Sequence, residues 1–218
     1  MTNQPEKFDR RGFIKKSSHL ALGTGGLFTS SSLIASGAAH GQDSPFFIGP
    51  VEGFTPQIGT LVSILNYMTL VVTGSINNMS TEDLDYLVEP GANTIGGLIS
   101  HAIATEKWCQ VRTFGWDRSE IMNSTDRQAE DLGDDARSNI KGNDFKFYQN
   151  EFKKVRENTL SELAKRDDNW LMEVDENHYW GAPVNNYCQW FHVIEHEAQH
   201  VGQIMILRKK LPSAKKND

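Results

Sequence analysis

The segment His192-Val-Ile-Glu-His196-Glu-Ala-Gln-His200-Val-Gly-Gln-Ile204 carries three of the seven histidines in this chain of 218 residues. On a helix, residues four and eight positions apart form one stripe, and side chains four apart lie close enough to bind one ion. Residues eight apart are separated by roughly 12 Å of helix rise, too far for two metal–nitrogen bonds of about 2 Å each. At most two of these histidines therefore bind the same ion, and a third ligand has to come from elsewhere.

The third ligand is expected upstream of this segment. Residues 196–200 read His-Glu-Ala-Gln-His, a signature of zinc proteases, but those enzymes take a further ligand from residues downstream. No histidine lies beyond this motif, and the only acidic residue after Glu197 is Asp218. His101 is the best upstream candidate, because it lies within the apolar-periodic segment 94–108.

Two regions far apart in the chain together resemble the DinB-like (DinB/YfiT) superfamily of metal-dependent enzymes. The residues that carry the resemblance are Ser100-His101, Glu106-Lys107-Trp108, His192, His196, His200 and Gly202-Gln203. The resemblance covers roughly residues 54–211. It implies a metal site formed by His101, His196 and His200, with His192 as a nearby residue that is not a ligand.

The pattern of apolar residues predicts four helices. Apolar side chains recur at helical spacing from Pro56 onward, from Asn93 or Thr94 to about Thr113, in 145–163, and in a last segment that stops before Pro212. No strand-like alternation of any length is present, so the fold class is all-α, a four-helix bundle. The connection of about 30 residues between the second and third helices permits a crossover and an up-down-down-up topology, which the resemblance also implies.

The first residues resemble an export signal. Asp9-Arg10-Arg11-Gly12-Phe13-Ile14-Lys15 is similar to the twin-arginine motif, and a weakly apolar run rich in small residues follows it. We therefore expect a signal segment at 1–41 and a periplasmic or secreted protein. A linker at 42–53, the bundle at 54–211 and a tail at 212–218 complete the predicted organisation.

The charge of the chain argues against two classes of partner. The formal net charge is −6, and without residues 1–41 the chain keeps 17 Lys and Arg against 26 Asp and Glu, a net of −9. An acidic surface is unsuited to nucleic acid and to anionic membranes. The apolar run of the signal segment is too interrupted by small and polar residues for a stable membrane span.

Three neutral imidazoles leave a divalent ion with an open coordination position, which is typical of a catalytic site. Zinc is the expected ion, and nickel, iron and manganese remain alternatives because imidazole binds several metals. Glu195 and Glu197 are candidates for a general base, or else solvated helix charges, which we favour slightly. Gln203 and His192 could orient a ligand or line the pocket, or form ordinary hydrogen bonds on the helix surface. A stripe of solvated histidines without metal is the remaining alternative.

The two cysteines, Cys109 and Cys188, lie eight residues after His101 and eight before His196. If the second and fourth helices are antiparallel, both cysteines lie at one end of the bundle and a disulfide is conceivable. Two buried free thiols are the favoured expectation.

The function expected from this pattern is that of an exported metal-dependent enzyme acting on a small molecule. The resemblance implies a transferase or isomerase that uses a low-molecular-weight thiol, and such thiols are cytoplasmic molecules. The other enzymatic reaction considered is metal-activated hydrolysis. The alternative is a non-catalytic metal-binding or stress-response module. Members of the family often form dimers, so a homodimer is a further expectation from the resemblance.

Overall fold

The structure is a computed structural model that describes residues 44–214, so the predicted signal segment and the last four residues lie outside the described part. Four long helices form the bundle: α1 (Pro56–Ser75), α3 (Ile95–Phe114), α7 (Phe145–Leu163) and α9 (Asn186–Arg208). Five short helices lie between them: α2 (Thr81–Leu84), α4 (Arg118–Ile121), α5 (Ser124–Asp131), α6 (Gly133–Asn139) and α8 (Asp168–Met172). Two short strands, β1 (Val174–Asp175) and β2 (Val184–Asn185), pair antiparallel.

The long helices begin where local chemistry favours a helix start. Pro56 occupies the first turn of α1, where its missing N–H costs nothing. The side chains of Thr94, Asp144 and Asn185 each accept a hydrogen bond from the backbone N–H three residues further on, which caps α3, α7 and α9. Gly115, with a φ of 74°, ends α3 in the left-handed conformation that glycine adopts without strain.

Two clusters of buried apolar residues establish the topology. One joins the end of α1 and the end of α9 to the starts of α3 and α7, for example through Val72, Ile204, Leu98 and Phe152. The other joins the start of α1 and the start of α9 to the ends of α3 and α7. The helices therefore run up, down, down and up, and the all-α four-helix bundle predicted from the sequence is confirmed.

The crossover between α3 and α7 is more ordered than the sequence predicted. We expected residues 114–143 to be a polar connection, but they contain α4, α5 and α6. Buried Met122, Ala129, Ala136 and Ile140 pack with Ala104 of α3. These apolar residues are too few and too widely spaced to produce a helical periodicity that can be recognised in the sequence.

The connection before α9 contains a small hairpin where the sequence predicted no strand. Val174 pairs with Asn185 and Asp175 with Val184. Strands of two residues are too short for the alternation of apolar and polar side chains that identifies a strand. This segment, residues 174–185, is called the hairpin below.

A buried ion-pair network joins the long helices. Arg156 of α7 is 2.9 Å from Glu106 of α3 and 2.5 Å from Glu197 of α9, and all three residues are at most 2% exposed. The same guanidinium donates hydrogen bonds to the carbonyl of Leu65 and the hydroxyl of Thr69 in α1. The expectation that Glu197 is a solvated helix charge is therefore wrong, because an arginine from a neighbouring helix binds it in the core.

Within residues 44–214, α1 is the one helix that is long and apolar enough to cross a membrane by length and composition. More than half of its apolar window is buried among the other helices, and the core helix of a bundle meets the same criteria.

Residues that precede α1 in the chain also contact it. The N–H of Gly49 donates to the Ser63 hydroxyl at 3.1 Å, and a Cβ on Gly59 would lie 2.5 Å from the Val51 nitrogen.

Candidate metal centre

Three histidines from two helices meet at one point. His101 projects from α3, and His196 and His200 lie one turn apart on α9. The Nε2 atom of His196 is 3.1 Å from Nε2 of His101 and 3.1 Å from Nε2 of His200. The potential ligand atoms of the three residues all lie within 4.8 Å of one another. The residues that the sequence predicted as a set are thus adjacent in the fold.

The outer nitrogens of two of these rings have partners that fix the rings. Nδ1–H of His101 donates to the backbone carbonyl of Ala129 in α5, at 2.8 Å. Nδ1–H of His200 donates to the side-chain oxygen of Gln203, at 2.9 Å. A neutral imidazole that carries its hydrogen on Nδ1 has a lone pair on Nε2. Both rings therefore present unprotonated nitrogens to the meeting point, the arrangement common for metal-binding histidines.

The donor set fits a divalent cation better than it fits hydrogen bonding alone. Two unprotonated Nε2 atoms face the Nε2 of His196, and one hydrogen there could satisfy only one of them well. Nitrogens bound about 2.1 Å from one ion, at angles between 90° and 109°, lie about 3.0–3.4 Å apart. The two observed separations of 3.1 Å fall within that range. Imidazole ligands suit zinc, nickel and iron alike, so this geometry does not choose among them.

The same surroundings keep the three imidazoles neutral. Burial, together with the neighbouring His200, His101 and His192, lowers the pKa of His196 from 6.5 to about 3. Burial likewise lowers the pKa of His101 and the pKa of His200. Since only a neutral imidazole can bind a cation, the site stays competent for metal at a pH where a free histidine is protonated.

Neither carboxylate that the sequence proposed as a general base is free. Glu197 is bound to Arg156 in the core, where burial raises its pKa and the adjacent guanidinium opposes that rise. Glu195 lies 3.1 Å from Nδ1 of His192 and also accepts a hydrogen bond from Gln199. The ring of His192 is centred 5.4 Å from the ring of His196, beside the three-histidine cluster.

A small cavity adjoins the cluster along the groove between α3 and α9. Its lining includes Thr105 and His192, each one helical turn from a histidine of the cluster, and Trp108, Arg112 and Trp180 further along. Its volume is about 30 Å³, enough to hold an ordered water molecule. Sequence reasoning missed Arg112 and the contribution of the hairpin, since nothing in the sequence places residues 178–180 against α3.

The two cysteines lie on the antiparallel helices α3 and α9. Both Cys109 and Cys188 are free thiols, and Cys109 is buried as expected. Cys188 is exposed, so the expectation of two buried thiols is wrong for this residue. It lies on the outer face of the first turn of α9, beside Tyr187 and Phe191.

Comparison with known families gives one assignment. Residues 60–212 match the model of the mycothiol-S-transferase family, so the match covers more than half of the chain and includes all three histidines. A comparison with curated proteins finds no match. The matched range together with the helical fold confirms the DinB-like resemblance. The chain belongs to the mycothiol-S-transferase family of the DinB-like superfamily, whose members are metal-dependent.

Proposed function

We propose that this protein is a metal-dependent transferase that joins a low-molecular-weight thiol to a small electrophilic acceptor. The observation that carries the proposal is the convergence of three imidazoles beside a cavity: Nε2 of His196 lies 3.1 Å from Nε2 of His101 and 3.1 Å from Nε2 of His200. Membership of the mycothiol-S-transferase family supports the thiol as the transferred group. Zinc is the ion we expect at the three nitrogens.

The chain's own residues contribute binding and orientation to this chemistry. His101, His196 and His200 would hold the ion, and Ala129 and Gln203 hold two of the rings in the tautomer that exposes Nε2. A bound divalent ion supplies the charge that favours the deprotonated, nucleophilic form of a thiol. Thr105 and His192, each one helical turn from one of the histidines, line the cavity, so a thiol would approach the ion from that side once the hairpin has moved.

Thiol transfer fits this site better than hydrolysis does. Many metal-dependent hydrolases use, besides the ion, a carboxylate base that accepts a proton from water. Glu197 is bound to Arg156, and Glu195 is bound to His192 and Gln199. A divalent ion held by the three histidines would lower the pKa of a nearby thiol, so that the thiol proton could pass to bulk water without a dedicated carboxylate base.

The experiment replaces one ligand and follows both metal and thiol. We expect His101→Ala to remain helical, to lose its bound metal in elemental analysis, and to lose metal-dependent consumption of mycothiol in the presence of 1-chloro-2,4-dinitrobenzene. A Cys188→Ser background removes the exposed thiol of the protein, which would otherwise react with the acceptor. The Cys188→Ser protein with its histidines intact serves as the active control.

Two outcomes would contradict parts of this proposal. If His101→Ala keeps stoichiometric metal, the assignment of the ligands is wrong. If the control protein holds stoichiometric metal but transfers neither mycothiol nor other small thiols, the site belongs to a non-catalytic metal-binding module.

A further inference from the structure

Arg112 is the charged residue of the cavity beside the histidines. Among the side chains that line this cavity, Arg112 is the one with a formal charge, in a protein whose net charge is −6. It follows His101 by eleven residues on α3, which corresponds to roughly 16 Å of helix rise. Because helical side chains lean toward the N-terminus of their helix, the guanidinium extends back toward the histidines. A ligand that reaches both sites therefore has to be elongated.

The guanidinium of Arg112 is held in place but retains unused hydrogen-bonding capacity. Its central carbon lies 5.8 Å from the centre of the Trp108 ring and 5.1 Å from that of Tyr179. One terminal nitrogen is 2.5 Å from the Asp175 carboxylate. The Nε–H is buried and has no partner, although a guanidinium can donate five hydrogen bonds. A planar group with free donors suits a second carboxylate, which arginine binds with two parallel hydrogen bonds.

Asp175 belongs to the hairpin that covers the cavity. Its carboxylate joins β1 to α3, and the side chain is 35% exposed, so this ion pair is only partly shielded from water. Tyr179 and Trp180 at the hairpin tip are 59% and 41% exposed. Since the cavity is only about 30 Å³, an elongated substrate would have to displace the hairpin in order to bind there. Movement of the hairpin would withdraw Asp175 and leave Arg112 without its anion.

We propose that Arg112 binds a carboxylate of the substrate in the place that Asp175 occupies here. Resting on the proposed transferase function, this inference defines the electrophilic acceptor as an elongated anionic molecule. Its reacting end lies at the three histidines and its carboxylate lies two to three helical turns away. In the absence of substrate, the Asp175 carboxylate occupies this position and neutralises the charge of Arg112.

The test compares a carboxylate with its neutral counterpart in a binding assay. The probes are 4-phenylbutyrate and 4-phenylbutyramide, and the readouts are calorimetry and quenching of tryptophan fluorescence, since Trp108 and Trp180 line the cavity. We expect the full-length metal-loaded protein to bind the carboxylate about 10- to 100-fold more tightly than the amide. The metal-stripped protein should retain this preference, which excludes binding of the carboxylate to the ion.

Three variants make the test specific to Arg112. Arg112→Gln should abolish the preference for the carboxylate, and Asp175→Asn should strengthen carboxylate binding several-fold by removing the competing anion. Arg118→Gln is the matched control, because Arg118 also lies over the Trp108 ring and pairs with a carboxylate, that of Glu130, but does not line the cavity. This control should bind both probes as the unmodified protein does.

The inference is overturned if the unmodified protein binds neither probe, or binds both equally. It is also overturned if Arg112→Gln keeps the preference, or if Asp175→Asn loses it. Failure of the transferase function gives a different result: the protein then prefers the carboxylate and depends on Arg112 for it, yet transfers no thiol. The opposite result is also informative. If the protein transfers a thiol equally well to carboxylate and to neutral substrates, the transferase function stands, and the role proposed for Arg112 is wrong.

Discussion

In His101 and His200 the two ring nitrogens have separate tasks, because the hydrogen-bond partner of the outer nitrogen, Nδ1, determines how the inner nitrogen, Nε2, is presented. For His200 the outer partner is Gln203, three residues further along the same helix. For His101 it is the carbonyl of Ala129, on a different element 28 residues away. His196 has no partner on its Nδ1 atom within residues 44–214 and is oriented by the rings on either side.

Gln203→Leu should weaken metal binding by about tenfold while the helix remains intact, because loss of the acceptor leaves the His200 ring without a fixed tautomer. Gln199→Leu is the matched control, since Gln199 is equally exposed on α9 but binds Glu195 instead of a ligand. Competition titration with a zinc-chelating dye would measure both affinities. Equal affinities for the two variants would exclude an orienting role for Gln203.

Among the contacts of individual residues, the sequence predicts those that depend only on helical spacing. The pairs His196–His200 and His200–Gln203 follow from residues four and three apart on one helix. The Ala129 carbonyl could not be predicted, because every residue has one and the sequence does not indicate which is used. Arg112 and Asp175 are 63 residues apart, and their contact depends on a hairpin too short to recognise.

At the scale of elements, Arg156 holds together the two helices that supply the ligands. Glu106 follows His101 by five residues on α3, and Glu197 is the neighbour of His196 on α9. One guanidinium on α7 binds both carboxylates, and it also bonds to α1. Rotation of α3 or α9 about its axis would break a buried charged contact, which is costly in a poorly solvated interior.

Arg156→Met should destabilise the fold by about 3–5 kcal/mol, because it leaves two buried carboxylates without a counter-charge. Chemical denaturation followed by circular dichroism would measure the free energy of unfolding. Adding Glu106→Gln and Glu197→Gln to this variant should recover part of the loss, since the uncompensated charges are then removed. Arg208→Met, at an exposed arginine that bonds only to the Ser75 carbonyl, should change the stability by less than about 1 kcal/mol.

The long helices were predictable from the sequence, whereas the short elements were not. Periodic apolar residues and capping side chains such as Thr94 and Asp144 identify α3 and α7 with little help from tertiary structure. Helices of four to eight residues, such as α4 and α5, are stable mainly through packing on α3 and carry too few residues for a pattern. The burial of Glu197 also depends on a tertiary partner, and a charged residue on a helix is usually exposed.

For the whole molecule, the site exists only when the bundle is complete. Its residues come from α3, the crossover and α9, and the two ligand helices are 95 residues apart between His101 and His196. An unfolded chain does not bring these nitrogens together, so a metal that binds there stabilises the folded state by mass action.

Zinc at about 100 times its dissociation constant should add about 2.7 kcal/mol to the stability of the metal-stripped protein, a rise of roughly 5–10 °C in Tm. The gain should persist at pH 6, because the lowered pKa of His196, about 3, keeps that ring free of protons. Differential scanning calorimetry with and without a chelator would measure it. His101→Ala should show no such rise, and an equal rise in that variant would place the stabilising metal elsewhere.

The positions of the three histidines along the chain have a consequence for biosynthesis. During translation, α3 with His101 is synthesised long before α9. A nascent chain therefore contains one of the three imidazoles before His196 and His200 are made. Capture of the ion is then a late event that reports a finished polypeptide.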